Sequence, residues 1–282
     1  MIIDVHTHIF PQAIRRDRQA HFAGEPAFRL LYDHPRARLA GAGELIAAMD
    51  QSGVDRAVVF GFPWRAADRF KRHNDYIMQA VADHPDRLIG LACFDLMHPE
   101  AAAETRRGLA GGLKGAGELA FYETGISEAN LERMDPIMAI CRDHHAPVML
   151  HTNEPVGHQY PGKAPNTLRQ IYRLVRRFQE NKLILAHWGA GLFFFRLLKK
   201  EVRETLRNVY FDTAASPFVY TPGIWPIACE LAGSEKILFG TDYPLLNPAR
   251  YFEEINASPL APEARQRILG QNAARLFGIS ES

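Results

Sequence analysis

The sequence is poor in cysteine, has no excess of either charge and lacks long apolar runs. Its three cysteines, Cys93, Cys141 and Cys229, are widely spaced and odd in number, which argues against a disulfide framework and C-x-x-C metal sites. The net charge of +1 gives no reason to expect extended nucleic acid as a partner. No run of about 18 uncharged apolar residues is present, so no membrane span is expected. The N-terminal MIIDVHTHIF lacks the basic and long apolar regions of a signal peptide, so we expect a cytoplasmic protein.

What the sequence does contain is a regular alternation of short apolar runs and longer helical patterns. Eight runs have the length and the content of Val, Ile, Leu and Phe that are typical of strands. They cover 2–8, 55–60, 87–94, 112–120, 146–151, 182–187, 208–212 and 236–242. Helical patterns cover 44–51, 71–83, 127–144, 166–179, 192–206, 222–232 and 262–278. This order predicts an α/β fold with a parallel sheet.

We favour a closed (β/α)8 TIM-type barrel over an open doubly wound sheet. The strands number eight, and polar residues end several of them, as the sites of barrels require. The 282 residues fit one barrel domain spanning 1–282. The segment 10–41 lacks clear periodicity, and we interpret it as an insertion after the first strand that forms a lid or wall over the site.

The strongest local signal is Asp4-Val5-His6-Thr7-His8 in the first strand. Alternate residues of a strand share a face, so His6 and His8 are predicted to point the same way. Such a pair can bind a metal, although two histidines satisfied by hydrogen bonds at a barrel end explain it equally well. Asp4 is predicted to support the site rather than to bind the metal.

Further metal-type side chains end other predicted strands. His151, His187 and Asp242 each follow an apolar run. In a barrel these ends meet at one mouth, where an uncompensated cluster of imidazoles and carboxylate would be costly to desolvate. A divalent cation would stabilise the cluster, and nitrogen and oxygen ligands suit zinc first, with manganese or iron as alternatives.

These motifs resemble the amidohydrolase superfamily. The resemblance is carried by Asp4-x-His6-x-His8, by the lone His151 and His187, and by Phe239-Gly240-Thr241-Asp242. The segments NDY at 74–76, PDRLIG at 85–90 and GQNAARLFG at 270–278 resemble its amidohydrolase-2 branch. The resemblance implies a (β/α)8 barrel, a metal-activated water, and His6, His8, His151, His187 and Asp242 as ligands. It does not fix the substrate.

The fourth strand bears on whether one or two ions are bound. GELAFY at 117–122 resembles the Gly-Glu-Ile-Gly-Leu-Asp motif of TatD-like hydrolases, in which the glutamate bridges two metals, but departs from it after Leu119. Lys114, four residues before Glu118, is the rival, because a carbamylated lysine on this strand is the bridge in other branches. About 13 Å of extended strand separates the two, so only one can reach the metals. We favour Glu118 as a ligand and two ions over one.

Loops after the strands are expected to set specificity. The segment 151–163 is long and polar, and Glu154, His158, Tyr160 and Lys163 are candidate contacts for a small-molecule substrate. Tyr122 and Trp64 are candidate aromatic walls of the pocket. For each of them, a solvated loop or ordinary packing is the competing explanation.

The predicted function is hydrolysis of a small amide, ester, lactone or phosphoester by a metal-activated water, with Asp242 as the proton acceptor. Three alternatives are left open: a single-metal carbon–carbon lyase such as a decarboxylase, a TatD-like metal-dependent nuclease, and a non-catalytic binding barrel. A homo-oligomer is also left open, because nothing in the sequence fixes the number of subunits.

Overall fold

The computed structural model describes residues 1–280 and contains eight strands, all paired in parallel. The strands are β1 (Ile3–His8), β2 (Arg56–Phe60), β3 (Leu88–Gly90), β4 (Ala116–Leu119), β5 (Val148–Leu150), β6 (Leu183–Leu185), β7 (Val209–Asp212) and β8 (Ile237–Leu238). Strands β1 to β3 form one sheet and β4 to β8 a second, each in sequence order. The predicted α/β fold with parallel strands is therefore confirmed. The last two positions of the predicted domain 1–282 lie outside the described residues.

Backbone hydrogen bonds cross the gaps between the two sheets. At one gap, Val5 N–H donates to Phe239 O at 2.8 Å and His8 N–H donates to Tyr243 O at 2.8 Å. At the other, Ala92 N–H donates to Gly115 O and Gly117 N–H donates to Ala92 O, both at 2.9 Å. Each gap thus carries part of a parallel ladder although the strands proper stop short of it.

Helices follow most of the strands. The α-helices are α1 (Gln12–Arg16), α2 (Pro26–Tyr32), α3 (Ala42–Ser52), α4 (Ala67–Asp83), α5 (Ala101–Ala110), α6 (Glu128–Asp143), α7 (Leu168–Arg177), α8 (Lys200–Thr205), α9 (Ser216–Val219), α10 (Ile224–Ala232), α11 (Pro248–Ala257), α12 (Pro262–Gln266) and α13 (Asn272–Phe277). Short 3-10 segments lie at Gln19–His21, His187–Leu197 and Ser234–Lys236, and a π turn at Arg267–Gln271. Within residues 1–280, no helix has both the length and the apolar character needed to span a bilayer.

Several helical predictions need correction. Helices α5 and α11 were not among the predicted helices. The four alanines of α5, with only Leu109 as a large apolar residue, give it little apolar periodicity. The predicted helix 192–206 is instead a 3-10 segment followed by the short α8. This 3-10 segment contains Trp188, Gly189, Ala190 and Gly191 with positive φ, a conformation that cannot continue a right-handed helix.

The segment 10–41 contains α1, a 3-10 turn and α2 rather than an irregular loop. Phe28 of α2 packs on Trp64, with ring centroids 4.4 Å apart, and on Phe62. The buried Glu25 carboxylate accepts the backbone N–H groups of Arg65 and Ala66 at 2.8 and 3.0 Å. These contacts fix the segment against the loop that follows β2.

An irregularity in strand register turns His6 and His8 towards the interior. Ile3, Val5 and Phe60 belong to a buried apolar cluster that is made of inward-facing side chains from several strands. Strict alternation would turn His6 and His8 to the opposite side from Val5. The register between β1 and β2 shifts between Asp4 and Thr7, which places one extra residue in β1. Both histidine rings consequently pack on Phe60, at 5.1 and 4.7 Å.

Candidate metal centre

The structure brings side chains from β1, from β4 and from the segments that follow β6 and β8 to one place. His6 Nε2 lies 3.7 Å from both Glu118 Oε2 and Asp242 Oδ1. His8 Nε2 lies 3.8 Å from Glu118 Oε2 and 3.4 Å from Asp242 Oδ1. His187 Nε2 lies 3.5 Å from Glu118 Oε1. A tetrahedral ion with ligands at about 2.1 Å separates those ligands by about 3.4 Å, which is close to the spacing of these donors. His6, His8 and Glu118 form one group that could hold a metal ion, and His6, His187 and Asp242 form another.

His6 is oriented by Asp212, a residue that the sequence analysis did not single out. His6 Nδ1–H donates to Asp212 Oδ2 at 2.9 Å, and both side chains are buried. His6 Nε2 is then left with its lone pair, and it is fully buried without a hydrogen-bond partner. A carboxylate behind a histidine and an unpartnered nitrogen in front of it are typical of a metal ligand. The signal in the sequence was that Asp212, like Asp242, ends a predicted strand.

His8 and His187 are oriented in the same way by carbonyl oxygens. His8 Nδ1–H donates to Gly61 O at 3.1 Å, and His187 Nδ1–H donates to Ala214 O at 3.0 Å. Because a carbonyl only accepts, Nδ1 carries the hydrogen in both rings and Nε2 faces the cluster. Asp212 also accepts the backbone N–H of His187 at 2.9 Å, so one carboxylate positions two of the histidines.

His151 is held differently. Its Nδ1 lies 3.0 Å from Glu118 Oε1, and its Nε2 lies 2.8 Å from Gly162 O. Both ring nitrogens therefore face acceptors, and a neutral ring donates to only one of them. Glu118, His151 and His187 also form a group of closely spaced donors.

The electrostatics of the cluster favour positive charge at its centre. Burial alone would lower the pKa of His6, but the Asp212 and Glu118 carboxylates outweigh it and raise this pKa to about 10. The pKa of His187 is raised to about 9, again against burial, by Glu118 and Asp242. The pKa of Glu118 is held well below its usual range, because His151 and His6 outweigh burial. A divalent cation can replace the protons that the histidines would otherwise take up.

Asp4 lies beneath the cluster. Its carboxylate accepts the hydroxyl of Thr241 at 2.5 Å and the backbone N–H groups of Thr241 and His6. Burial raises the pKa of Asp4 to about 7 despite these bonds. Asp4 thereby ties β1 to the segment that carries Asp242.

The other predicted site residues separate into distinct groups. Lys114 is exposed at the start of β4 while Glu118 is buried, so the structure excludes Lys114 as the bridge on this strand. Trp64 is fully buried and its indole N–H donates to His73 Nδ1 at 2.8 Å, so it presents no wall to a pocket. Its size and apolar surface placed it in the core instead.

The loop after β5 is closed on itself. Glu154 accepts the Tyr160 hydroxyl at 2.7 Å and the Lys163 ammonium at 2.8 Å. His158 is exposed, with its ring 5.9 Å from that of Tyr160. Lys163 also donates to the carbonyls of Val156 and His158, so its charge is already satisfied.

An aromatic wall lies beside the cluster. The Tyr122 ring lies 5.0 Å from that of His151 and stacks in parallel on Phe62 at 6.3 Å. Tyr32, the last residue of α2, packs on Phe62 at 6.0 Å. Burial and the Asp242 and Glu118 carboxylates raise the pKa of Tyr32. The sequence analysis missed Tyr32, because nothing in a segment without periodicity showed that its helix folds back over the site.

His73 connects the loops that follow β1 and β2, and it makes stability depend on pH. Its Nε2–H donates to Ile9 O at 2.7 Å, and burial lowers its pKa to about 4. The unfolded chain takes up this proton near pH 6.5 and the folded protein near pH 4, so the free energy of unfolding falls as pH drops through that window. We expect the contribution of His73 to fall by about 3 kcal/mol.

Denaturant unfolding of the wild type and of His73→Gln at pH 7 and at pH 4 checks this expectation. The variant is less stable at pH 7, because it loses the bonds to Ile9 and Trp64, and the difference should shrink towards pH 4. A difference that is equal at both pH values would contradict it.

The protein is similar to curated decarboxylases over about three quarters of its length. It is 27% identical over 258 residues to the gamma-resorcylate decarboxylase of Rhodococcus jostii, covering 76% of this chain and 78% of the relative. It is 27% identical over 264 residues to the 2-amino-3-carboxymuconate-6-semialdehyde decarboxylase of Dictyostelium discoideum, covering 79% and 70%.

One solved structure with the same fold is the 5-carboxyvanillate decarboxylase of Novosphingobium aromaticivorans, complexed with manganese and 4-hydroxy-3-methoxy-5-nitrobenzoic acid. Its TM-score is 0.78 at 18% identity, and the match covers 99% of this chain and 96% of that one.

The relatives are decarboxylases by name, and this finding contradicts the predicted hydrolase activity. The TatD-like interpretation of the β4 segment, and the nuclease alternative that depended on it, conflict with the same finding. The physical reason is that histidines and carboxylates around a cation serve both water activation and carbon–carbon cleavage, so the residues alone do not separate the two. The Amidohydro_2 family model, described as Amidohydrolase, matches residues 3–279, and the chain therefore belongs to this amidohydrolase family.

Proposed function

We propose that this protein is a metal-dependent carbon–carbon lyase that decarboxylates a small aromatic or similarly conjugated carboxylic acid. The observation that carries the proposal is the similarity to the decarboxylases of R. jostii and D. discoideum over about three quarters of the chain. The cluster of the buried His6, His8 and Glu118 with the half-buried Asp242 supports it, because it supplies the donors that a divalent ion needs.

The cation is assigned to His6, His8, Asp242 and Glu118, because the Nε2 atoms of both histidines lie 3.4 to 3.8 Å from Glu118 Oε2 and Asp242 Oδ1. Manganese is favoured over zinc or iron, because the related fold from N. aromaticivorans is complexed with manganese. A second ion would use Glu118, His151 and His187, which form a further group of closely spaced donors. That position requires His151 to release Glu118 or the Gly162 carbonyl, so we propose one ion rather than two.

Decarboxylation breaks the bond between a carbon of the substrate and its carboxyl carbon. The electron pair stays on the substrate carbon, CO2 leaves, and that carbon must receive one proton. A bound divalent ion would polarise an oxygen of the substrate. We assign the proton transfer to Asp242, with His187 as the group that resupplies the proton, because their donor atoms and that of His6 lie within 4.8 Å of one another.

The remaining site assignments follow the geometry. Tyr122 is assigned to the substrate pocket, since it lies next to His151. The self-bonded Glu154, Tyr160 and Lys163, with His158 beside them, are assigned to the rim. We also infer that the two sheets close into one (β/α)8 barrel within a single domain, with 10–41 as its lid, because backbone hydrogen bonds cross both gaps.

The proposal is tested by CO2 release. Metal-stripped protein, with and without added manganese, is incubated with 2,6-dihydroxybenzoate and with 5-carboxyvanillate, and elemental analysis counts the ions per chain. We expect release only with manganese, at one ion per chain, and no release by His6→Asn. The control is His34→Asn, which changes an exposed histidine. Bound manganese without CO2 release from either acid would contradict the proposal, and two ions per chain would overturn the single-ion assignment.

Asp212→Asn is expected to weaken manganese binding by about 10- to 100-fold, because the amide no longer fixes the Nδ1–H tautomer of His6. Calorimetric titration of metal-stripped wild type and variant with manganese measures the change in affinity. Unaltered affinity in a folded variant would show that Asp212 does not orient His6.

A further inference from the structure

Two phenolic hydroxyl groups beside the metal cluster have no hydrogen-bond partner in the described part of the chain. They belong to Tyr32, at the end of α2, and to Tyr122, which follows β4. Among residues 1–280, no group exchanges a hydrogen bond with either hydroxyl, although both side chains are half-buried. Tyr160 and Tyr251, by contrast, are partnered: Tyr160 donates to Glu154 at 2.7 Å, and Tyr251 donates to Thr241 O at 3.0 Å. The hydrogens of the Tyr32 and Tyr122 hydroxyls therefore stay available to a ligand bound beside the cluster.

The two tyrosines share one ring as a support. Tyr122 stacks on Phe62 with an interplanar angle of 6°, and Tyr32 meets Phe62 at 76°. The flat face of Tyr122 and the adjacent imidazole of His151 are surfaces on which a planar conjugated ligand can pack.

Tyr32 is fixed in place although it belongs to the segment 10–41. The Arg18 guanidinium donates to Tyr32 O at 3.3 Å and to Ala37 O at 2.7 Å, which ties the end of α2 to the rest of the segment. The preceding residue, Leu31, reaches the loop after β5, where a methyl group added to Gly162 would lie 4.0 Å from Leu31 Cδ2. Gly162 is the residue whose carbonyl holds His151. These contacts hold the end of α2, and with it the Tyr32 ring beside Phe62, in a defined position.

The chemistry of the pair defines what it binds. At neutral pH a phenol keeps its hydrogen and donates. Two donors beside a flat aromatic surface match an oxygen substituent on a conjugated ring, such as a hydroxyl, a phenolate or a second carboxylate. A ring without such a substituent leaves both donors unpaired and gains only the packing.

We propose that Tyr32 and Tyr122 determine substrate specificity by donating hydrogen bonds to an oxygen substituent of the conjugated acid, other than the carboxylate that is lost. This inference rests on the proposed function, and it assigns to the segment 10–41 a direct part in recognition. Both residues are specificity-determining and take no part in proton transfer.

The test uses the full-length protein loaded with manganese and calorimetric binding of four probes: benzoate, 2-hydroxybenzoate, 4-hydroxybenzoate and 2,6-dihydroxybenzoate. We expect the wild type to bind at least one hydroxylated acid about tenfold more tightly than benzoate. Tyr32→Phe and Tyr122→Phe keep the rings and remove the hydroxyls, so each should reduce this ratio several-fold while benzoate binding stays unchanged. Tyr210→Phe is the matched control, because its half-buried phenol lies on β7 under Lys236 Nζ, away from the cluster.

The outcomes separate this inference from the proposed function. A ratio that falls in Tyr32→Phe and Tyr122→Phe but not in Tyr210→Phe supports the inference, even if no acid releases CO2. A ratio unchanged in both variants overturns it, even if the protein proves to be a decarboxylase. Failure of every hydroxylated acid to bind more tightly than benzoate overturns it as well.

Discussion

Asp242→Asn is expected to lower the rate of CO2 release by about a thousandfold or more while leaving the protein folded. The asparagine keeps the shape of the side chain but can neither carry the proton nor supply a charged ligand atom. In the structure, Asp242 Oδ1 lies 3.4 Å from His8 Nε2 and 3.7 Å from His6 Nε2, so its charge acts at the centre of the cluster. The histidines outweigh burial and lower its pKa to about 2, which keeps the free carboxyl group ionised and ready to bind a cation.

Turnover, manganese content and thermal unfolding are measured together for this variant. Asp86→Asn is the control, because Asp86 is exposed in the loop before β3. If Asp242→Asn retains manganese and loses turnover, the loss reports on proton transfer. If it loses both, the loss reports on metal binding. Full turnover would refute both roles.

Gly189→Ala is expected to destabilise the protein by about 3 kcal/mol, because the new methyl group has neither space nor a relaxed backbone. Gly189 has φ +60°, and an added Cβ would lie 2.5 Å from Phe211 Cδ1 and 3.2 Å from Leu185 Cβ. The glycine sits in a run of five residues with positive φ, from His187 to Gly191, which turns the chain directly after the histidine. Relief of the clash would also move His187, so metal-dependent activity should fall together with stability.

Gly53→Ala isolates the contribution of the backbone. Gly53 ends α3 with φ +72°, and an added Cβ would meet nothing within 4 Å. We expect this control to lose only about 1 kcal/mol. Denaturant unfolding of both variants measures the two changes. Equal losses would show that the contact with Phe211 does not matter.

Most of the candidate cluster could be predicted from local sequence. His6, His8, His151, His187 and Asp242 end apolar runs, and parallel strands bring their carboxyl ends to one edge. Asp212 also ends a strand, but a lone carboxylate at that position does not show whether it binds a cation or positions a neighbour. Only the 2.9 Å contact with His6 Nδ1 decides that it positions His6.

The two-residue period of a strand does not predict that His6 and His8 face the same side as Val5. His6 and His8 face the interior together with Val5 because the register shifts between Asp4 and Thr7. A similar shift between Ala116 and Leu119 lies at Glu118. Such bulges depend on the pairing of two strands, and a single strand read alone does not contain them.

The order of apolar runs and helical patterns by itself determined the α/β class and the parallel strands, and it placed His6, His8, His151, His187 and Asp242 at the ends of predicted strands. These features depend on periodicity and on chain order, which are local properties of a sequence. Tertiary structure alone decided that Lys114 is exposed, that Trp64 is core, that His151 is held between two acceptors and that Tyr32 reaches the site. Each of these depends on contacts between segments that are distant in sequence, and no local pattern encodes such contacts.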